Sequence, residues 1–300
     1  VDVTDTAYPH LFEQVRSLAD APAEERVRRI RTDRWIGYAR AEGALAELDD
    51  LLTFPKRLRM PNLLLVGPSN NGTTMIIDKF RRTNATGICA GGCDSAVAVP
   101  VLKMQMPPAP DEKRFFGAVL EALGAPDRSS DRLAAKQDIA MRMMRATNVR
   151  MLIIDEVHNI LTGTRMQQRR LLSLLRWLGN ELQIPLVAVG TAEALRAIQS
   201  DDQLANRFMP FRLPPWQADD EYMRLLNTLE AMLPLREASG LEEPALAQKL
   251  LSAAEGILGE VVRLVTLAAV EAVTSGAERI RIEDIDTIGF MPPSERRRAC

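Results

Sequence analysis

The segment from Gly67 to Thr74 has the residue types and spacing of a loop that wraps around a phosphate group. Glycines permit a tight turn close to the anion, and the backbone N–H groups at the start of a following helix hold it. The loop residues match the pattern G-x-x-x-x-G-K-[ST] at every fixed position except the lysine: Gly67, Pro68, Ser69, Asn70, Asn71, Gly72, Thr73 and Thr74. The sequence therefore predicts a phosphate loop for ATP, with the Thr74 hydroxyl as a ligand of Mg²⁺.

Thr73 occupies the position of the motif's lysine. That lysine bridges the β- and γ-phosphates and neutralises charge as the phosphate bond breaks. Lys79 lies nearly two helical turns further on, so we do not expect it to substitute. The loss of one charge-assisted contact costs about 1.5–3 kcal/mol, or roughly 10- to 150-fold in affinity. Nucleotide binding is therefore expected to survive in weakened form, whereas hydrolysis is in doubt.

Two carboxylates, Asp155 and Glu156, follow the apolar run Met151–Ile154. Asp155 is placed to hold Mg²⁺ through water, and Glu156 to orient and deprotonate an attacking water. Alone, such a pair is more typical of a helix cap with an acidic first turn. Together with the upstream loop, it predicts the second half of a nucleotide site.

Three further residues follow in the order expected of such a site. Thr191 ends the apolar run Val187–Gly190 and is placed to contact the attacking water or the γ-phosphate. Arg207 is a candidate arginine finger that reaches a nucleotide on a neighbouring subunit, or else an ordinary surface arginine. Arg263, in a predicted lid helix, faces the γ-phosphate or merely pairs with an acidic neighbour.

Other residues near these motifs have open interpretations. Trp35 and Ile36 precede the phosphate loop and either flank the adenine or belong to the core. His158 and Asn159 follow the carboxylates and either relay the state of the nucleotide or serve packing and capping.

Short apolar strands alternating with helices must position these residues. The predicted strands are Asn62–Val66, Val97–Met104, Met151–Ile154 and Leu186–Gly190. This alternation predicts an α/β fold with a parallel sheet flanked by helices, in which a ligand lies beyond the carboxyl ends of the strands. We predict an N-terminal helical segment over 1–54, a nucleotide-binding core over 55–215, a helical lid over 216–290 and a flexible basic tail over 291–300.

Composition limits the remaining possibilities. The net charge of −2 disfavours strong DNA binding by a single subunit, but an oligomer can collect modest basic strips into a track. Apolar runs are too short to span a bilayer, which predicts a cytoplasmic protein with no membrane contact. Cys89 and Cys93 lack a second pair of ligands, so a structural metal site is not expected.

As a set, the motifs resemble the TniB family, ATP-binding transposition proteins related to TnsC and MuB. The resemblance rests on Arg34–Tyr38, Gly67–Gly72, Ile154–Asn159, Val189–Thr191 and Leu204–Phe208. It implies an AAA+ fold, ATP-dependent oligomerisation on target DNA as a ring or filament, recruitment of a DDE transposase, and ATP turnover that disassembles the complex. The family pattern has lysine at position 73, so Thr73 is a departure.

Within that resemblance, the contacts to double-stranded DNA are expected at four basic residues: Lys103, Arg165, Arg169 and Arg170. ATP bound at Thr74 and Asp155 of one subunit, touched by Arg207 of the next, would stabilise the homo-oligomer. Two alternatives remain open from the sequence: a nucleotide-insensitive scaffold that docks protein partners, and a signalling switch on the same phosphate-loop framework.

Overall fold

The computed structural model describes residues 7–85, 98–109, 111–128 and 130–299, and these residues form two compact units. The sheet unit comprises Arg40–Ser69 and Thr73–Pro214. The helical unit comprises the described residues up to Ala39, together with Asn70–Gly72 and the chain from Pro215 onwards.

Within the described residues, five parallel strands form the sheet in the order β2-β3-β4-β1-β5. Their bounds are Asn62–Val66 (β1), Val101–Gln105 (β2), Met151–Asp155 (β3), Leu186–Gly190 (β4) and Phe208–Arg212 (β5). Every residue of the three central strands β1, β3 and β4 is buried, as expected of parallel strands covered on both faces. The predicted parallel sheet is confirmed.

Helices of the sheet unit separate these strands along the chain. They are α3 (Ala39–Thr53), α4 (Thr73–Thr83), α5 (Glu112–Ala122), α6 (Leu133–Ala146), α7 (Arg165–Leu182), α8 (Ala192–Gln199) and α9 (Asp202–Ala205), with a 3₁₀ helix at Val157–Thr162. Side-chain caps define several helix starts: Asp111 accepts from the backbone N–H groups of Lys113 (2.7 Å) and Arg114 (3.1 Å). The core beneath them is apolar, with Phe115 and Phe116 in edge-to-face contact and fully buried.

The fifth strand, β5, is absent from the sequence-based prediction. Pro210 lies at its centre and provides no N–H for a strand ladder, which argues against a strand in the sequence. The structure resolves the conflict because β5 is an edge strand: among the described residues it pairs with β1 alone, and the missing donor faces away from β1.

The helical unit combines described residues from the N-terminal and the C-terminal parts of the chain. Its helices are α1 (Glu13–Ala19), α2 (Ala23–Arg31), α10 (Asp220–Ala231), α11 (Pro244–Ala253), α12 (Leu258–Ser275), α13 (Asp284–Thr287) and α14 (Pro293–Ala299). Helix α12 packs against α2, and a buried ion pair ties the same regions together. Arg26 donates from Nη1 to Glu278 Oε1 at 2.9 Å and from Nε to the Pro234 carbonyl at 2.9 Å.

The helical unit differs in two ways from the predicted division of the chain. Residues up to Ala39 form one compact unit with the C-terminal helices instead of a separate N-terminal segment, because α2 packs against α12. The tail predicted to be flexible contains α14, which is anchored within the helical unit. The Ser294 N–H donates to Glu255 Oε1 at 2.8 Å, and Arg296 pairs with the buried Glu260. In the part of the chain that the structure describes, no helix is both long and apolar enough to cross a membrane.

Candidate nucleotide site

The loop between β1 and α4 has the backbone that its sequence predicts. Asn70 and Gly72 have positive φ values of 63° and 90°, a conformation that favours glycine and asparagine. A Cβ added to Gly67 would lie 3.2 Å from the Leu213 carbonyl oxygen, so this position also needs glycine. Helix α4 begins at Thr73, and its first N–H groups have no acceptor within the helix. The loop therefore offers the cradle and the donors that phosphate binding requires.

Asp155 and Glu156 lie at the carboxyl end of β3, the sheet edge that also carries the end of β1. Asp155 is buried, and its Oδ1 accepts from the Glu156 N–H at 3.0 Å. Glu156 has φ of 55°, which turns the chain sharply and leaves its carboxylate 42% exposed. His158 Nε2 lies 3.1 Å from Glu156 Oε2, and Asn159 donates to the Met106 carbonyl at 3.0 Å. A buried carboxylate beside a more exposed one suits the predicted division between metal and water.

The predicted donor set fits a hard divalent cation such as Mg²⁺. A hydroxyl from Thr74 and a carboxylate from Asp155 are oxygen ligands, and Mg²⁺ takes few protein ligands and fills its remaining positions with water and phosphate oxygens. Among the described residues, no group of three or more His, Cys, Asp or Glu side chains could hold a metal ion by itself. Cys89 and Cys93 lie outside the described residues.

Lys103 lies beside Asp155, the predicted ligand of Mg²⁺. It lies in the middle of β2, and its side chain is only 19% exposed. Its Nζ is 2.9 Å from Asp78 Oδ1 and 3.7 Å from Asp155 Oδ2. These contacts engage the ammonium group within the protein, and the expected contact of Lys103 with DNA stays a prediction. A lone lysine between Leu102 and Met104 in an apolar strand is the sequence signal that could have indicated such pairing.

Thr191 and Arg207 lie at opposite ends of the parallel strands, Thr191 at the carboxyl ends and Arg207 at the amino ends. Thr191 follows β4 at the loop edge and caps α8, accepting from the Glu193 N–H at 3.4 Å. Arg207 precedes β5, and its carbonyl accepts from the Asn62 N–H at the start of β1. Because the strands are parallel, Arg207 lies at the amino edge, the far end of β1 from the phosphate loop.

Arg207 lines a cleft of about 620 Å³ together with Arg57 and Arg59, and we call these three residues the arginine cleft. Partial burial lowers the pKa of Arg207, and neighbouring Arg59 and Arg176 lower it further. Arg207 Nη1 donates to Asn180 Oδ1 at 2.8 Å. Like charges converge here, and none of the described residues that line the cleft is a carboxylate, an arrangement that favours an anion. The sequence does not predict Arg57 and Arg59 as site residues, since two nearby arginines in a sequence are equally typical of a solvated surface.

In the helical unit, the loop segment Asn70–Gly72 contacts the start of α12. The Leu258 N–H donates to Asn71 Oδ1 at 3.1 Å, and the Gly259 N–H donates to the Asn70 carbonyl at 2.9 Å. The two asparagines thereby satisfy helix N–H groups that α12 cannot. The amide of Asn70 donates in turn to Glu260 Oε1 at 3.1 Å.

The other predicted residues of the helical unit have packing partners. Arg263 Nη1 lies 3.9 Å from Glu260 Oε2, which is the acidic neighbour of the alternative interpretation. Ile36 is buried and Trp35 half-buried. The described aromatic contact nearby is instead between Tyr38 and Trp216, at 5.1 Å between ring centroids.

A protein-family model described as "Bacterial TniB protein" matches residues 26–218, more than half of the chain. The chain belongs to the TniB family. This membership confirms the family suggested by the motifs, and it makes the chain a nucleotide-binding regulator related to transposition. No curated protein sequence matches the chain.

Solved structures establish the fold. The Aeropyrum pernix ORC2 protein, in ADPNP–ADP complexes, has a TM-score of 0.62 at 15% identity, covering 87% of this chain and 70% of its own. The Aeropyrum pernix ORC1 protein in complex with DNA has a TM-score of 0.62 at 15% identity, covering 87% and 68%. Cdc6p from Pyrobaculum aerophilum has 0.58 at 16% identity, covering 84% and 67%. The predicted AAA+ phosphate-loop fold is confirmed.

Proposed function

We propose that this TniB-family chain binds ATP with Mg²⁺ at the phosphate loop and assembles through that nucleotide into a homo-oligomer on target DNA. The observation that carries the proposal is the separation of the two halves of the site. The phosphate loop, Asp155 and Thr191 lie at one edge of the sheet, and Arg207 lies at the other.

That separation favours a contact between subunits. Five residues of β1 span roughly 16 Å at about 3.3 Å per residue, too far for Arg207 to reach a phosphate in its own subunit. The arginine cleft instead suits the triphosphate held by a second copy, because guanidinium groups supply the positive charge and the N–H donors that phosphate oxygens accept. Nucleotide would then stabilise the interface, and the interface would strengthen nucleotide binding to the same extent.

The start of α7 is the part of the sheet unit that we propose for DNA. Arg165, Arg169 and Arg170, the α7 arginine cluster, are exposed, and none pairs with an acidic side chain among the described residues. Three cations on the first turns of a helix add to its positive dipole end, which destabilises the free helix and favours a polyanion. The ORC1 structure in complex with DNA supports a DNA-bound state for this fold. Family membership supports delivery of a DDE transposase.

Hydrolysis is expected to be weak in this chain. Bound ATP would supply the electrophilic phosphorus, Mg²⁺ would polarise it, and Glu156 would accept a proton from the attacking water. Thr73 provides no cation to neutralise the charge that develops on the β–γ bridge. Assemblies that form would therefore persist, because turnover is the step expected to release them.

The test is the variant Thr73→Lys, compared with the parent for ATP hydrolysis with and without DNA. We expect turnover to rise at least tenfold and to respond to DNA, since one phosphate contact is restored. An exposed control substitution on α4, Lys79→Thr, should leave turnover at the parent level. If Thr73→Lys gained nothing in either condition, the attribution of weak hydrolysis to Thr73 would be wrong.

A nucleotide-insensitive scaffold is the second candidate, and Thr73 is the observation that favours it. Titration calorimetry separates the two functions, because a scaffold produces neither heat nor a thermal shift with Mg-ATP.

A further inference from the structure

The strand β2 carries a cation that the usual phosphate-loop motif does not call for. Lys103 stands between Leu102 and Met104, both buried, and its side chain is itself four-fifths covered. An ammonium group in such a place loses hydration and stays charged only with partners. Its partners are Asp78 at 2.9 Å and Asp155 at 3.7 Å.

These two carboxylates locate the ammonium relative to the nucleotide site. Asp155 is the residue expected to hold Mg²⁺. Asp78 stands four residues after Thr74 in α4, and residues at that spacing share one face of a helix, about 5–6 Å apart. The ammonium therefore lies beneath the same helix face that presents the Thr74 hydroxyl. The position vacated by lysine, Thr73, begins that same helix.

Charge balance explains why a cation is needed there. Without Lys103, two carboxylates would stand beside a bound triphosphate, and like charges at this range repel strongly in a partly buried site. A lysine in the loop would offset part of that repulsion in an ordinary phosphate-loop protein. In this chain the loop offers Thr73, while β2 offers Lys103.

We propose that Lys103 supplies from β2 the fixed positive charge that Thr73 does not supply from the loop, and that it lets this chain hold ATP with a reduced dependence on Mg²⁺. The proposal rests on the proposed nucleotide binding. The Lys103 ammonium group partly neutralises the Asp155 carboxylate. Mg²⁺ therefore adds less to ATP affinity than it would if Asp155 had no cationic partner. Lys103 acts as a positioning and charge-compensating residue in binding and has no part in bond cleavage.

The experiment measures the affinity for a fluorescent ATP analogue in excess EDTA and again in excess Mg²⁺, using five proteins. The parent should lose less than about tenfold in affinity when Mg²⁺ is removed. In EDTA, Lys103→Met should bind the analogue at least about tenfold more weakly than the parent does. Excess Mg²⁺ should restore most of that lost affinity. The exposed control Lys79→Met on α4 should behave as the parent. Thr73→Lys in the Lys103→Met background should restore binding in EDTA, because the charge has moved back to the loop.

Two results separate this inference from the proposed function. If the parent binds no nucleotide in either condition, the proposed function fails. If the parent binds but Lys103→Met weakens binding equally with and without Mg²⁺, or leaves it unchanged, Lys103 only ties β2 to α4 and the inference is overturned. Lys103→Arg is the control that separates loss of charge from misfolding, because it keeps the charge. It should bind the analogue in EDTA as the parent does. Loss of that binding in a protein with an unchanged melting temperature also overturns the inference.

Discussion

Replacing Arg207 with alanine should disrupt assembly while leaving the nucleotide site of the same subunit intact. Arg207 lies at the amino end of β1, roughly 16 Å from the loop at its carboxyl end. At that distance a unit charge contributes about 0.3 kcal/mol in water, and physiological salt reduces this further. A direct contact to phosphate in a neighbouring subunit is instead worth about 1.5–3 kcal/mol, or 10- to 150-fold.

The assay compares ATP affinity at low protein concentration with ATP-dependent oligomerisation measured by sedimentation velocity. Arg207→Ala should keep the ATP affinity within about twofold of the parent. It should raise the protein concentration needed for oligomerisation by about tenfold or more. Arg196→Ala, an exposed arginine of α8 with no ion pair among the described residues, is the matched control and should assemble as the parent does. Loss of ATP affinity in dilute Arg207→Ala, or unchanged assembly, would refute the reasoning from strand direction.

Three further results are expected. Replacing the α7 arginine cluster with serine should weaken DNA binding for all sequences, and the slope of log affinity against log salt should fall by up to about 3, as measured by fluorescence anisotropy. Arg26→Met should lower the free energy of unfolding by about 3 kcal/mol in denaturant titration, because it leaves the Glu278 carboxylate without its main partner. The hydrogen bond from Arg26 holds the pKa of Glu278 below its usual range, so the pair stabilises the fold above pH 4.5 and loses that effect as pH falls through the lowered pKa. Urea midpoints measured between pH 7 and pH 3 should therefore fall more steeply in the parent than in Arg26→Met.

Much of the sheet unit is predictable because the segments whose sequences favour strands are the segments that the fold buries as strands. Strands β1 and β4 have the predicted bounds, and β3 extends one residue further, through Asp155. Buried parallel strands read as short apolar runs, and a glycine or polar residue marks the edge where each ends. The strand β5 escaped prediction because Pro210 is compatible with a strand only at a sheet edge, and edge position is a property of the whole sheet.

Pairings between distant residues are the part that the sequence does not reveal. Arg26 and Glu278 are 252 positions apart, and nothing local in either segment indicates their contact. The same holds for Lys103: its charge is visible in the sequence, but Asp78 and Asp155 as partners depend on the order of strands and the placement of α4. The residue types of a site can therefore be predicted better than the partners with which each charged side chain pairs.

The central claim is that the loop binds nucleotide although Thr73 replaces its lysine. Titration calorimetry of the parent with Mg-ATP tests it most directly, alongside Gly72→Val, which forces a side chain onto a φ of 90° and against the Tyr38 hydroxyl. We predict saturable binding near one ATP per subunit in the parent, and at least a tenfold loss in a folded Gly72→Val protein. Absence of both heat and a thermal shift in the parent at millimolar ATP would contradict the claim.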